Sequence, residues 1–312
     1  MEQISFHKRS TLEYIHSPMQ HNYLIVEGGG FKTAFTAGIL DAFIINNHNP
    51  FNNYIGVSGG AVATSYFLSQ QYRNCVNAMK LLAKDQNFLD FKRTFGEQGY
   101  MDIDYLAKVA EEKVPFDIDK AVSLSAEAKV FFVATNRENG NPEYLRPIKE
   151  NWLDAVVASS TLPFVTKGLH KIENKIYFDG GWSDALPVKW AYENGAKKIL
   201  VLRTAPASYK STQSWTDYFG SIYHKASPHL RETFAFCHNR YNDALDFIAN
   251  PPSDLIIEQI APAKLLKSGT YSYTKRTIMQ DYRYGVDKGL SYLNSHQHMD
   301  GEVEELLTTL NV

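Results

Sequence analysis

The chain has 312 residues, of which 44% are hydrophobic and 21% are charged, and its formal net charge is -2. This apolar share excludes disordered and fibrous proteins, and the near-neutral charge gives no reason to expect a nucleic-acid partner. The two cysteines, Cys75 and Cys237, lie far apart and outside any Cys/His spacing, which argues against a disulfide scaffold or a structural zinc site. The length fits either two average domains or one large α/β domain.

The N-terminal segment and the most apolar run exclude two kinds of targeting. Residues 1–18 carry charged side chains and no apolar stretch, so we expect no signal peptide. The run 23–45 is interrupted by a glycine cluster and by Glu27, Lys32 and Asp41, so it cannot span a membrane. We therefore expect a soluble, cytoplasmic protein.

Short apolar runs alternate with segments of helical spacing in the first part of the chain. The run 23–26 predicts a strand that ends at glycines, and 33–46 predicts a helix. A second strand is predicted over 54–57; it ends at Ser58, and 61–70 again has helical spacing. This order has the length of a βαβ unit, which predicts parallel strands joined by a right-handed crossover.

Later elements follow the same signals. Strands are predicted over four apolar runs, 129–135, 175–178, 198–203 and 254–260. Helices are predicted from Pro187 to Gly195, over 229–250, and over two terminal segments, 276–293 and 302–310.

The pentapeptide Gly56-Val57-Ser58-Gly59-Gly60 matches the G-x-S-x-G nucleophile elbow. Its position between a predicted strand and a predicted helix is the context that this motif requires. Small neighbours leave the serine hydroxyl open, and the Gly59 amide at the helix N-terminus can donate to a developing oxyanion. The alternative is a glycine-rich turn whose serine only caps the helix.

A second glycine-rich turn, Glu27-Gly28-Gly29-Gly30-Phe31-Lys32, also lies between a strand and a helix. Successive backbone amides of such a loop stabilise negative charge, either a phosphate or the oxyanion of acyl transfer. Thr33 stands where the dinucleotide fingerprint requires glycine, and no P-loop lysine follows, so a nucleotide site is a weak alternative. A turn without a ligand is the other alternative, and Lys32 is then an ordinary surface lysine.

Asp179-Gly180-Gly181 follows the strand predicted over 175–178. Alone, this pattern indicates a turn; together with Ser58, it makes Asp179 a candidate general base. Histidines after Asp179 are the candidates for a catalytic triad, but none is expected in a strand-end loop. They fall in or beside the helix 229–250 or in a polar C-terminal loop: His224, His229, His238, His296 and His298. A Ser–Asp dyad therefore fits better than a triad.

Taken together, these segments resemble bacterial patatin-like phospholipases. The turn 27–32 resembles the oxyanion loop of that family, 56–60 its elbow and 179–181 its aspartate motif. Residues 158–164 and 183–188 are similar to the segments that flank the aspartate. Thr33 departs from the pattern, because the family has glycine at the end of the oxyanion loop; its β-branched side chain is expected to narrow or reorient the loop.

The resemblance implies an α/β fold with three α/β/α layers, a mostly parallel central sheet and a helical C-terminal part. We expect a catalytic core over 20–205 and a mainly helical region over 206–312 packed on it, or one continuous domain. The implied site consists of the dyad Ser58 and Asp179 and an oxyanion hole: Gly28, Gly29, Gly30, Phe31, Lys32 and Gly59.

The resemblance also implies the substrate, an acyl ester of a phospholipid or another lipid. The dyad needs no metal and no cofactor, and no calcium or zinc ligand spacing occurs. Basic residues near 264–276 (Lys264, Lys267, Lys275 and Arg276) suggest either peripheral membrane contact or an ordinary solvated face. A short-chain esterase or thioesterase, and a lipid-binding protein without turnover, remain alternatives.

Overall fold

A computed structural model describes residues 21–83, 102, 104–162, 170–225, 227–270 and 273–309. The predicted features at 1–18, Pro163, Phe164 and Leu310 lie outside these residues. The strands are β1 (Asn22–Val26), β2 (Asn53–Val57), β3 (Lys129–Asn136), β4 (Pro142–Leu145), β5 (His170–Ile172), β6 (Lys175–Asp179), β7 (Lys198–Leu202) and β8 (Ile256–Ile260). The α-helices are α1 (Thr33–Ile45), α2 (Gly59–Leu68), α3 (Asn74–Leu82), α4 (Asp104–Lys108), α5 (Ile118–Leu124), α6 (Trp152–Ser160), α7 (Val188–Glu193), α8 (Trp215–Tyr223), α9 (Pro228–Ala249) and α10 (Lys275–Thr309).

All eight strands form one sheet in the order β5-β6-β3-β2-β1-β7-β8, with β4 also paired to β3. Neighbouring strands from β3 through β2, β1 and β7 to β8 run parallel. The pairs that involve β4, β5 and β6 are antiparallel. The parallel pairing predicted for the first strands is confirmed, and the antiparallel strands are confined to one side of the sheet.

Alternation along the strands buries both faces of the sheet. In β1, Leu24 and Val26 join the core formed with α1, α2 and α3, whereas Tyr23 and Ile25 join the core formed with α7 and α9. Because successive side chains of a strand point to opposite faces, apolar residues at every position require helices on both sides. The mixed α/β architecture with a central sheet is therefore as expected.

The C-terminal helix α10 packs closely on α1 through glycines. A Cβ atom on Gly285 would lie 1.9 Å from the carbonyl oxygen of Phe35, and one on Gly38 would lie 2.1 Å from that of Tyr282. The Tyr282 hydroxyl also donates to the carboxylate of Asp41, at 2.8 Å. These contacts hold the C-terminal part of the chain against the first helix of the sheet.

The expectation of two terminal helices is wrong, because Lys275–Thr309 is one continuous helix. The polar segment before Gly301 contains no proline, and a glycine inside a helix costs only about 1 kcal/mol. Strand β8 also lies beyond residue 205, yet it pairs with β7 in the central sheet. This shared sheet favours one continuous domain over a boundary at 205, and we retain that organisation as a proposal.

Candidate active site

The site lies where two strands meet end to end along one edge of β3. On that edge, β2 pairs as far as Val57 opposite Val133, and the pairing with β6 starts at Asp179, the last residue of β6, opposite Ala134. The opposite edge of β3 is taken by β4. Since β2 and β6 run in opposite directions, their C-terminal ends converge, and Ser58 follows Val57 directly into this junction.

Ser58 occupies a sharp turn between β2 and α2. Its φ of 56° and ψ of -128° are rare for a residue with a side chain and cost about 1–3 kcal/mol. The flanking glycines allow the turn: a Cβ on Gly56 would lie 2.6 Å from the Cα of Ala61, and one on Gly60 would lie 2.1 Å from the carbonyl oxygen of Val26. This geometry is that of a nucleophile elbow.

The turn is anchored by Ser159 of α6. The Ser58 amide donates to Ser159 Oγ at 2.9 Å, and the Ser159 hydroxyl donates to the carbonyl oxygen of Val133 at 2.6 Å. Ser159 thus connects the elbow to β3. In the sequence, only the resemblance of the segment 158–164 to the family pattern points to Ser159.

Asp179 is held through its backbone as well as its side chain. Its amide donates to the carbonyl oxygen of Thr161, and its carbonyl oxygen accepts from the Thr135 hydroxyl, both at 2.7 Å. The Gly181 amide donates to Oδ1, also at 2.7 Å. The carboxylate is thereby aimed at the junction that contains Ser58.

Burial raises the pKa of the Asp179 carboxyl to about 6, while hydrogen bonding from the Ser58 hydroxyl and the Gly181 amide partly opposes the shift. The side chain is only 3% exposed. Among the described residues, Oδ2 has no hydrogen-bond partner of full geometry, so the Ser58 contact is looser than an ordinary hydrogen bond. A carboxyl with this pKa is a better base near neutral pH than an exposed aspartate.

The glycine loop packs directly on the elbow. A Cβ on Gly28 would lie 2.7 Å from Ser58 Cβ, so no larger residue fits there. Gly29 and Gly30 have φ values of 148° and 58°, which residues with side chains rarely adopt. Neither the Gly28 nor the Gly29 amide donates to another described residue, and both glycines line a pocket with Ser58.

Glu27 and Thr204 hold this loop on the end of β7. Glu27 is buried and accepts from the Thr204 amide at 2.5 Å and from the Tyr241 hydroxyl at 2.7 Å. The Thr204 hydroxyl in turn donates to the carbonyl oxygen of Gly28, at 2.7 Å. The Glu27 carboxylate therefore helps to hold the glycine loop in place.

Thr33 adopts an ordinary helical conformation, with φ -58° and ψ -16°. The unusual φ values of the loop fall on Gly29 and Gly30 instead, so the backbone at position 33 does not need glycine. Its side chain packs against Gly59, where a Cβ would lie 2.3 Å from Thr33 Oγ1. This contact narrows the space beside the elbow without bending the loop.

An apolar cavity extends from Ser58 into the helices on one side of the sheet. The volume of this cavity is about 90 Å³. Residues one helical turn apart on α3 form one wall: Cys75, Ala78, Met79 and Leu82. The opposite parts of the wall include Val109, Phe116 and Val156. This shape and lining suit a hydrocarbon chain.

A second, polar pocket of about 280 Å³ opens on the other side of Ser58. Its wall contains Gly28, Gly29, Gly30 and Asp179, with hydroxyl, carboxyl, thiol and imidazole groups from the C-terminal region: Tyr209, Ser211, Thr212, Ser214, Asp217, Cys237, His238 and Tyr241. Ser58 is therefore shared by an apolar and a polar pocket.

Of the remaining predicted oxyanion residues, Phe31 and Gly59 line a pocket beside Ser58, and Lys32 does not. Gly59 and the buried Phe31 line the apolar cavity, and the Phe31 ring stacks on Tyr273 with centroids 3.8 Å apart. Lys32 lines neither of these pockets; its side chain instead packs beside Gly29.

One histidine that the sequence analysis assigned to helix packing reaches the site. His238 on α9 lines the polar pocket. His296 and His298, which were expected in a polar loop, both lie in α10, and His296 contacts Glu258, 3.0 Å away. The position of His238 depends on how α9 packs, so no local signal in the sequence identifies it.

Within the described residues, no helix combines the length and the apolar character needed to cross a membrane.

Comparisons with known proteins found two family models and similar chains. A family model described as "Patatin-like phospholipase" matches residues 24–192, and one described as "Domain of unknown function (DUF6363)" matches residues 227–300. "Uncharacterized protein YjjU" of Escherichia coli (strain K12) is 33% identical over 264 residues, which cover 84% of this chain and 74% of that protein. The crystal structure of VipD from Legionella pneumophila is similar with a TM-score of 0.43 and 12% identity, over 89% of this chain and 67% of that chain.

Proposed function

The chain belongs to the patatin-like phospholipase family, and from this premise we propose that it cleaves lipid acyl esters with Ser58 as nucleophile and Asp179 as general base. The family supports lipid acyl hydrolysis as the general activity. The observation that carries the residue assignment is the strained Ser58 at the junction of an apolar and a polar pocket, beside the buried Asp179.

In the proposed reaction, Ser58 Oγ attacks the ester carbonyl carbon as its proton passes to Asp179. The oxyanion that forms accepts hydrogen bonds from the amides of Gly29, Gly30 and Gly59, which lie beside the nucleophile and at the N-terminus of α2. When the tetrahedral intermediate collapses, the C–O bond breaks and the proton returns from Asp179 to the leaving alcohol. Water then attacks the acyl-serine by the same steps and releases a fatty acid.

Reaction with a fluorophosphonate probe tests the nucleophile. We expect the wild-type protein to be labelled on Ser58 and the Ser58→Ala variant to lose both labelling and ester hydrolysis, because the variant lacks the hydroxyl that would form the acyl intermediate. Matched circular dichroism spectra serve as the folding control. Labelling of the alanine variant at the wild-type rate would place the nucleophile elsewhere.

We propose that the apolar cavity holds the acyl chain and the polar pocket the alcohol part of the ester. The α3 stripe follows helical spacing and belongs to the hydrophobic core, and it also lines the cavity. A short-chain esterase has no need for such a cavity, so the apolar lining that extends from Ser58 to Leu82 favours a long-chain substrate over that alternative.

Filling the cavity tests this assignment. In Ala78→Phe, we expect kcat/KM for long-chain esters to fall at least about 10-fold. The ring would displace roughly two methylenes of the acyl chain from the cavity, and each buried methylene contributes about 0.8 kcal/mol. Hydrolysis of acetate or butyrate esters should change little. Leu81→Phe on the exposed side of the same helix is the matched control. An equal loss for short and long esters would remove the cavity from the acyl site.

We also propose that the loop before α10 is the surface through which the protein contacts lipid aggregates. Thr270 of this loop lines both pockets. Leu265 is 70% exposed, and the exposed Lys264 and Lys267 flank it. An exposed apolar side chain between lysines suits an anionic lipid surface, and a loop whose Thr270 lines both pockets would deliver substrate to Ser58.

A further inference from the structure

Three side chains of metal-ligating types meet on the wall of the polar pocket. Asp217 lies in α8, and Cys237 and His238 are adjacent in α9; their ligand atoms all lie within 4.8 Å of one another. The proposed dyad uses none of them. All three line the pocket that also contains Ser58.

The close packing of α8 on α9 creates this cluster. A Cβ on Gly220 would lie 2.6 Å from the Phe234 ring, so glycine is needed where the helices approach. Asp217 precedes Gly220 by three residues and Cys237 follows Phe234 by three, which places both one helical turn from the contact. Residues 20 positions apart in the sequence thus become neighbours.

The individual groups have ligand capacity to spare. Asp217 is 6% exposed, and its Oδ2 accepts from the Ser214 amide at 2.6 Å. Among the described residues, the buried Nδ1 of His238 has no hydrogen-bond partner. A buried nitrogen without a hydrogen-bond partner is unfavourable, and a bound cation would remove that cost.

We propose that Asp217, Cys237 and His238 bind one Zn²⁺ ion whose fourth coordination position opens into the polar pocket. Thiolate and imidazole ligands favour zinc over calcium or magnesium, which prefer oxygen ligands. Zinc bonds of about 2.0–2.3 Å put tetrahedral ligand atoms roughly 3.5 Å apart, so the three groups must close by about 1 Å. The thiol gives up its proton to solvent on binding.

The position of this site links it to the polar end of the substrate. Three carboxyl groups, those of Glu27, Asp179 and Asp217, line the polar pocket, and no lysine or arginine lines it within the described part of the chain. Such a wall disfavours an anionic ligand, whereas a Zn²⁺ ion would supply positive charge beside Ser58. This consequence rests on the proposed function, but metal binding itself does not.

Metal titration of the full-length protein tests the proposal without any turnover. After treatment with a chelator, the protein is titrated with Co²⁺, and we expect one ion per chain with visible absorption of a tetrahedral site and thiolate-to-metal charge transfer. Zn²⁺ should displace Co²⁺ and should raise the unfolding temperature. The charge-transfer band should disappear in Cys237→Ser, and Asp217→Asn and His238→Gln should weaken binding by more than the roughly 10- to 100-fold typical of outer-shell changes.

Two matched variants retain the site. Cys75→Ala removes the other cysteine of the chain, and His229→Gln removes an exposed histidine from α9; both should bind Co²⁺ as the wild type does. Absence of absorption in the wild type would overturn the proposal. So would a charge-transfer band that survives Cys237→Ser or disappears in Cys75→Ala.

Discussion

Replacing Asp179 by asparagine is expected to lower kcat/KM by roughly 100- to 10,000-fold, the usual contribution of a general base. The asparagine oxygen can still accept from the Gly181 amide, which donates to Asp179 Oδ1 at 2.7 Å, so the local fold is retained. What disappears is the carboxylate that we propose takes the proton from Ser58. Steady-state kinetics on a long-chain ester and the rate of fluorophosphonate labelling both measure this loss.

The same carboxyl sets the expected pH dependence of the wild-type enzyme. Only the ionised form of Asp179 can accept a proton, and burial raises its pKa to about 6. Therefore kcat/KM should rise with pH and level off above an apparent pKa near this value. Asp184→Asn is the matched control, because Asp184 is half-buried and desolvation also raises its pKa to about 6, but it lines neither pocket; the pH profile of this variant should stay unchanged.

The raised pKa also predicts how Asp179→Asn affects stability. The folded state binds the Asp179 proton more tightly than the unfolded state, so this group stabilises the fold below about pH 4, and that contribution is lost as the pH rises through about 6. Near pH 8, the variant should gain about 2–3 kcal/mol over the wild type, at about 1.4 kcal/mol per pKa unit. Near pH 4 this gain in the free energy of unfolding should vanish. Urea unfolding curves at the two pH values measure the difference. If Asp179→Asn keeps full activity, the dyad is excluded, and His238 becomes the next candidate for the general base.

Gly30→Ala is expected to lower kcat by roughly 100- to 1000-fold, the usual effect of losing one oxyanion donor. The new methyl group would lie 2.6 Å from the carbonyl oxygen of Thr270, and the φ of 58° disfavours a side chain. The loop must then move, and its amides move away from the oxyanion position. Because these bonds form in the transition state, kcat and kcat/KM should fall together while KM stays nearly constant.

Gly195→Ala separates loss of the donor from simple destabilisation. Gly195 has a φ of 93° and lies outside both pockets, and its nearest neighbour would be 3.7 Å from the new Cβ. This variant should lose about 1 kcal/mol of stability, a cost similar to the backbone cost at position 30, with unchanged kinetics. If both variants lose stability alike and neither loses activity, the glycine loop has no part in the oxyanion hole.

The sequence predicted most of the sheet because the relevant signals are local. Alternation and apolar runs placed the strands β1, β2, β3, β6 and β7 within about one residue of their observed bounds. The short antiparallel strands β4 and β5 were missed, because four and three residues carry too little periodicity. The single helix α10 was divided in two because the polar residues before Gly301 were interpreted as a linker.

What the sequence determined by itself is the set of reactive groups and their local geometry. The glycines around Ser58 specify a strained turn, the loop before Thr33 specifies free amides, and Asp179 ends an apolar strand. The tertiary structure alone decided which groups meet. The end-to-end approach of β2 and β6 on β3 brings Asp179 to Ser58, and the packing of α8 on α9 adds Asp217, Cys237 and His238 to the polar pocket. Periodicity reports the environment of one segment, whereas these encounters depend on backbone pairing and helix packing between segments far apart in the chain.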